Sequence, residues 1–376
     1  MSNLSVVPLS RSGAHIRRFL ALSHHLYRDD PHWVAPLLID LKKVFSNANP
    51  LFEHAEMQLW VAAQNGRDVG RIAGIVDRNF NAHQQENAAF FGFFECINDR
   101  AVARALMEAV VGWARSKGLK KILGPLNPTT NEEGGLLVHG FDTSPVFMMT
   151  YNPRYYADLV TGEGFTKAKD LLAYFFDLAN TPMGRFERIA AKFKKREPDI
   201  AIVPIRRRNL AKTLEKVKAV YNEAWQNNWG FVPMTDAEIH FMAGRLKPLL
   251  TEGLAYVAET PQEPVGFLLA MPDFNQAFKP LKGRMLTPKL LGFLPYLAGW
   301  KVPDVCRVIT LGVKAGYRGR GIEAAMLAEG LRTGFKLGFR SVEASWILED
   351  NIAVQRVIEL FGGKPYKTYR IYQRPL

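Results

Sequence analysis

The sequence predicts an α/β protein in which one order of elements is used twice, and three observations carry that expectation. Runs rich in β-branched and aromatic residues alternate with stretches whose apolar residues recur at helical spacing. The order hairpin, long strand, helix, strand, helix, strand is read once before residue 180 and again after residue 200. The second copy also carries a glycine-rich corner between a strand and a helix, at residues 314–321, which the first copy lacks. A chain of 376 residues that is 48% hydrophobic has the length and apolar content for two cores.

In chain order, residues 14–28 read as a helix that stops before Asp30-Pro31, because proline disfavours helical backbone in the residue before it. Residues 60–63 and 70–76 are apolar strands joined through Asn65-Gly66, a pair suited to the positive φ of a tight hairpin. Residues 89–97 (AFFGFFECI) form the long strand, and residues 100–117 a helix with Val102, Leu106, Ala109, Val110 and Trp113 on its inner face and Gly118 as its stop. Residues 121–126 and 171–178 are further strands, separated by a loop rich in Pro, Thr, Asn and Gly and by the segment 151–165. A first domain is therefore expected over 1–180. A linker helix comes next over 181–199, with Thr181 as N-cap, Pro182 as first helical residue, an apolar stripe of Phe186, Ile189, Ala190 and Phe193, and a basic end at Lys194, Lys195 and Arg196. The second domain, 200–376, has strands at 254–259, 265–271 and 305–313, a helix from Gly321, a strand from Ser341, a helix from Asn351 and a strand at 367–373, with an apolar insertion at 272–303.

The corner is where chemistry is expected. Val305, Val308, Ile309, Leu311 and Val313 make the strand, and Ile322, Met326, Leu327, Leu331 and Phe335 make the inner face of the helix after it. The N–H groups of a first helical turn lack internal acceptors, and the helix dipole adds partial positive charge there. Gly319 and Gly321 would let a phosphate approach the main chain, while Arg318 and Arg320 add forked donors. RGRG alone also reads as a solvated basic loop; the joint arrival of strand, turn and helix favours an anion site. No G-x-x-x-x-G-K-[ST] is present, and the glycine spacing is not that of a dinucleotide fingerprint.

LGVKAGYRGRGIEAAML, residues 311–327, resembles the acyl-CoA pyrophosphate loop of the GNAT superfamily of N-acyltransferases. Leu311 and Val313 fill the strand positions, Arg318 and Gly321 the first two loop positions, and Glu323 stands where the family has Gly or Ala. Asn351 resembles the family's Asn that opens the next helix, and Ile358 stands where many members carry a Tyr that protonates the departing thiolate. The resemblance implies two GNAT-like domains, each a mixed, mostly antiparallel twisted sheet flanked by helices. The first is a degenerate copy whose corner has shrunk to Asn98-Asp99-Arg100. It further implies acetyl-CoA or a longer acyl-CoA as co-substrate, held by Leu311, Val313, Arg318, Gly319, Arg320, Gly321, Ile322 and Asn351. The acyl group would pass to an amine in the cleft between the domain's fourth and fifth strands, with the N–H of Val313 polarising the thioester carbonyl. Tyr366, Tyr369 and Tyr372 are candidates for the missing proton donor, and the turn carrying Trp225, Asn228, Trp229 and Phe231 is the expected acceptor contact, or else a seam between domains. Arg307 lies where some members carry Glu; Asp304, Glu343 and Glu349 are the nearby acids, read as solvated surface groups. Against the enzyme stands a second reading, a non-catalytic CoA-binding or regulatory protein, motivated by Glu323 and Ile358.

Composition bounds the partners. A net charge of +13 calls for acidic ones: CoA phosphates, nucleic acid or an anionic membrane face. No zinc-finger spacing, RNP-like motif or long basic arm supports nucleic acid, so none is expected. Cys96 and Cys306 are far apart and the eight histidines show no paired-ligand pattern, so neither disulfide nor metal is expected and a reduced cytoplasmic setting is. No apolar run approaches the roughly 18 to 20 residues of a membrane span. The insertion, with Phe293, Tyr296 and Trp300 between Lys279, Lys282, Arg284, Lys289 and Lys301, reads either as a packed helix pair or as an interfacial lid. The second option makes the acceptor a lipid amine instead of a small polar one, with peripheral contact at the inner membrane face.

Overall fold

The computed structural model describes residues 3–181 and 183–376; Pro182, expected to open the linker helix, lies outside them, as do the side chains of Met183, Ala211, Lys212 and Leu297. The strands are β1 (Leu4–Leu9), β2 (Ala55–Gln64), β3 (Arg67–Asp77), β4 (Ala88–Cys96), β5 (Lys121–Gly124), β6 (Leu126–Asn127), β7 (Glu133–Gly134), β8 (Leu136–His139), β9 (Thr166–Asp177), β10 (Ala201–Pro204), β11 (Ala255–Glu259), β12 (Pro264–Pro272), β13 (Val305–Val313), β14 (Ser341–Leu348) and β15 (Lys364–Pro375). They belong to two compact units that interleave along the chain. Met1–Leu171, Phe278–Thr287 and Lys367–Leu376 make the first, and Leu172–Ala277 and Pro288–Tyr366 the second. These are not the contiguous halves expected: part of the insertion and most of the last strand belong to the first unit.

In the first unit the sheet order is β1-β2-β3-β4-β5-β15. Neighbours are antiparallel except β4 and β5, which are parallel. The β2/β3 hairpin turns on Asn65 (φ 51°) and Gly66 (φ 77°), the two positive values that a two-residue hairpin needs. Helix Arg100–Ser116 buries Val102, Ala103, Leu106, Met107, Val110, Val111 and Ala114. It lies so close to the sheet that a Cβ on Gly74 would come within 2.8 Å of the Trp113 ring.

The second unit has the order β9-β14-β13-β12-β11-β10. Its β10/β11, β11/β12 and β12/β13 pairs are antiparallel and β13/β14 is parallel, so each unit has the mixed, mostly antiparallel sheet that was expected. Helix Ile322–Leu337 covers one face, burying Ile322, Ala325, Met326, Leu327, Ala328 and Leu331 against Cys306, Val308, Val342 and Ala344. Helix Met183–Arg196 joins the same core through Phe186, stacked on Phe361 at 4.6 Å, and Phe193; it is a core element and not a free connector. Helix Leu210–Ala224 covers the opposite face, with Val220 and Ala224 packed against Val257 and Phe267.

The insertion holds no helix pair. Its structure is a set of short turns, Asn275–Phe278, Lys279–Leu281, Pro288–Gly292 and Leu294–Leu297, because Pro280, Pro288 and Pro295 with Gly283, Gly292 and Gly299 interrupt every helical run. Among the described residues no helix is long and apolar enough to cross a membrane.

Candidate acyl-CoA site

Strands β13 and β14 pair from Val305↔Ser341 to Val308↔Ala344, and both continue beyond that point toward their C-terminal ends. A parallel pair whose ladder stops while both strands run on opens a cleft. The partly exposed residues Ile309, Thr310, Leu311 and Gly312 lie where it opens. The register of β12 against β13 slips between Leu269↔Thr310 and Ala270↔Val308, so Ile309 is the extra residue of a bulge. The bulge sets the facing of the strand residues beyond it: Thr310 is opposite Leu269 and Gly312 opposite Phe267, both on the face of helix Leu210–Ala224. Thr310 Oγ1 is buried there without a hydrogen-bond partner, a cost of roughly 1–3 kcal/mol that a bound polar group would relieve.

At the mouth of the cleft the chain turns through Lys314 to Gly321. Gly321 is the N-cap of helix Ile322–Leu337 at φ 87°, with no side-chain cap, and Gly319 has φ 75°. A Cβ built on Gly316, Gly319 or Gly321 would meet nothing within 4 Å, so the space over the corner is open. Uncapped first-turn N–H groups, a helix dipole and open space are what a diphosphate requires, and the corner fits the phosphate end of CoA. The arginines are engaged otherwise. Arg318 reaches back, Nε donating to Val313 O at 3.2 Å and Nη2 to Ala224 O at 2.5 Å, and so ties the corner to the strand and to the helix on the other face. Arg320 is paired with Glu197, which raises the guanidinium's pKa and holds the carboxyl below its usual range. Beneath the turn, burial works against the Lys314 ammonium, but hydrogen bonds to Glu263 (2.6 Å) and Glu223 (3.1 Å) outweigh it and raise its pKa. Tyr317 donates to the same Glu263 at 3.1 Å.

Glu323 does not point away into solvent. It is half-buried in the first helical turn, where burial pushes its carboxyl pKa up, against a smaller pull from its own N–H and from Arg318. Ile322 is fully buried and Val313 nearly so, so both shape the corner from below. Asn351 caps helix Ile352–Leu360, its side chain accepting from Val354 N–H at 3.3 Å. Ile358 is 3% exposed in the second unit's core.

Of the expected acceptor contacts, Trp225 comes to the strand. Its ring lies against Phe267 (5.6 Å) and over Gly312, where a Cβ would come within 2.1 Å of the indole; Gly312 is the room that this ring needs. Asn228 N–H closes the turn on Trp225 O at 2.8 Å, Trp229 is half-buried, and Phe231 is a core residue at 5.5 Å from Tyr221. The tyrosines separate. Tyr369 and Tyr372 are buried in the first unit, Tyr369 on the part of β15 that pairs with β8, whereas Tyr366 is half-exposed in the second unit, 5.4 Å from Phe175.

One sequence reading is overturned. Glu343 is not a solvated acid but 0% exposed, and Arg307, its cross-strand neighbour, is 2% exposed. Ser345 Oγ donates to Glu343 Oε1 at 2.5 Å, the Tyr366 hydroxyl donates to Oε2, and Arg307 Nε donates to Ser345 Oγ at 3.1 Å. The alternation Ser341, Glu343, Ser345 looks like a solvent face, yet Glu343 and Ser345 are both buried, so that face is covered. Asp304 is exposed and Glu349 half-buried. Among the described residues no group of three or more His, Cys, Asp or Glu is placed to hold a metal ion.

A parallel strand pair whose ladder ends short of both strands, with an open glycine corner beyond it, fits an acyl-CoA-dependent N-acyltransferase, and comparison with known proteins agrees. The profile of the Acetyltransferase (GNAT) family matches residues 214–362. The chain is 35% identical over 386 residues, 100% of its length and 98% of the relative's, to a protein of Caulobacter vibrioides named bacterial ceramide synthase. It is 34% identical over 370 residues, 96% and 93% of the two lengths, to Protein YghO of Escherichia coli. A solved tandem GNAT protein from the clavulanic acid biosynthesis pathway superposes with a TM-score of 0.61 at 14% identity, over 99% of this chain and 98% of that one. A GCN5-related N-acetyltransferase from Sphaerobacter thermophilus superposes at 0.53 and 12% identity, over 99% and 95%. The chain belongs to the GNAT acetyltransferase family and is an acyltransferase.

Proposed function

We propose that this protein transfers an acyl group from acetyl-CoA or a longer acyl-CoA to the amine of a long-chain amino alcohol, giving an N-acyl amide. The observation that carries the acyl-CoA part is the open, uncapped corner at Gly319–Gly321 at the mouth of the β13/β14 cleft. Acyl-CoA supplies the activated thioester. The chain's own parts do the rest: the corner takes the diphosphate, the main-chain N–H of Val313 polarises the thioester carbonyl, and Asn351 flanks the pantetheine arm. Trp225 and Thr310 face the acceptor, and Tyr366 handles its proton. The nitrogen–carbon bond forms, the carbon–sulfur bond breaks, one proton leaves nitrogen and one joins sulfur.

The long-chain acceptor is supported by full-length similarity to the relative named for ceramide synthesis and by the surface of the insertion. Leu291, Leu294 and Trp300 are 71%, 46% and 86% exposed, while Phe293 anchors the segment against Phe274. Residues 274–303 contain five basic and no acidic side chains, a composition suited to peripheral contact with an anionic inner membrane face. A second reading, binding of CoA without turnover, draws on Glu323 beside the corner. The test incubates the protein with acetyl-CoA or a sixteen-carbon acyl-CoA and, in parallel, a long-chain 2-amino-1,3-diol or a polyamine, with amide formation monitored by mass spectrometry. Amide from the long-chain base is expected. Turnover of polyamines alone refutes the acceptor, and tight CoA binding without any amide favours the second reading.

A further inference from the structure

The chain Arg307, Ser345, Glu343 and Tyr366 serves no packing need, since its three buried members cost more in the interior than apolar side chains would unless a polar function keeps them. Its facing gives it a purpose. Cys306, Val308, Val342 and Ala344 all lie in the core against helix Ile322–Leu337. Their alternate neighbours Arg307, Glu343 and Ser345 therefore project to the opposite face. That is also the face of Thr310 and of Gly312 with its overlying Trp225, and so the acceptor face of the cleft. The ordering within the chain is directional. Glu343, Ser345 and Arg307 are 0%, 4% and 2% exposed, whereas Tyr366 is half-exposed and forms the outward end. Each Glu343 oxygen accepts from a hydroxyl, Ser345 at one and Tyr366 at the other, and Arg307 is linked to the carboxylate through Ser345. Arg307 from β13, through Ser345, and Tyr366 from β15 are among the charged and titratable groups around Glu343.

We propose that Tyr366 and Glu343 are the proton relay of this acyltransferase, with Ser345 and Arg307 holding the carboxylate in place. As the bond from nitrogen to the acyl carbon forms, the amine gives its proton to the Tyr366 oxygen while the Tyr366 proton passes to Glu343. As the carbon–sulfur bond breaks, the same path returns a proton to the sulfur, and Glu343 ends ionised as it began. This arrangement supplies the proton donor that Ile358 cannot, from a different strand, and it makes Glu343 a positioning residue that acts through Tyr366. Thr310 Oγ1, buried on that face without a partner, independently marks it as one that receives a polar group.

The relay rests on the acyltransfer reading, and its test separates the two. Amide formation by the unaltered protein is measured first; its absence overturns the reaction itself. Where the protein turns over, Glu343→Gln and Tyr366→Phe should each lower kcat/KM by about 10²- to 10⁴-fold. Each should also shift or erase the ascending limb of the pH profile, while acyl-CoA affinity by calorimetry stays within about twofold. Glu343→Asp should recover part of the rate. An unchanged pH profile, or a loss of acyl-CoA affinity matching the loss of rate, overturns the relay. Should Glu343→Gln fail to fold, Tyr366→Phe carries the test alone, because its half-exposed ring keeps its place beside Phe175.

Discussion

The two strand-to-helix corners of this chain sit at the same place in the same order of elements and differ in who satisfies the helix. After β4, the side chain of Asp99 accepts from Ala101 N–H at 2.8 Å, so the helix Arg100–Ser116 brings its own anion. After β13, the N-cap is Gly321 in the left-handed region with no side chain to offer, and helix Ile322–Leu337 begins without a side-chain cap and with open space over its first turn. A cap stabilises a helix by about 1 kcal/mol. Omitting it costs that much and, on the proposed function, leaves room for an anion, so the proposed difference between a structural copy and a binding copy comes down to one capping side chain and the glycines around it.

That comparison can be broken most severely at Gly321. Gly321→Asp installs a carboxylate where the phosphate approaches and a side chain where φ is 87°, and acyl-CoA affinity should fall at least a hundredfold by calorimetry. Unchanged affinity would show that the diphosphate lies elsewhere. Next comes Gly312→Val, which forces the Trp225 ring off the strand from a 2.1 Å overlap. Overpacking of this kind typically costs about 1–3 kcal/mol, read as a lowered Tm, and amide formation should fall with it.

A smaller, sign-specific effect is expected at Glu323. Burial raises its pKa, so part of its ionisation falls in the weakly acidic range above the ordinary carboxylate value. A diphosphate arriving nearby raises it further, so binding takes up a proton and weakens as pH rises through that range. Glu323→Gln should tighten acyl-CoA binding several-fold at neutral pH and flatten its pH dependence; equal slopes in both proteins would remove Glu323 from the site. Smallest is Asp99→Ala in the first unit: a loss of about 1 kcal/mol of stability in denaturant melts, with acyl-CoA affinity untouched. A matching loss of affinity would mean that the first corner takes part in binding.

The parts of the molecule that are legible in its sequence are the local ones. The Asn65-Gly66 hairpin, the Gly319 and Gly321 corner and the Asn351 cap each depend on a few adjacent residues, and the sequence carries them openly. The hidden parts depend on distant partners. Nothing local says that Lys367–Leu376 belongs to the first unit, because its place comes from pairing with β5 and β8. The same pairing buries Tyr369, which on its own reads as a candidate acid. Glu343 reads as solvated because alternation reports that one face is polar and not what lies over it. Gly312 gives no sign of its role, since the ring it makes room for is attached far away in the chain. In the insertion, apolar content suggests helices, but prolines and glycines at short intervals decide for turns.

The claim that one corner binds and the other does not is tested most directly by titrating acetyl-CoA into the full chain by calorimetry. One site per chain is predicted, lost in Gly321→Asp and kept in Asp99→Ala. Two sites, or one site that survives Gly321→Asp, would contradict it.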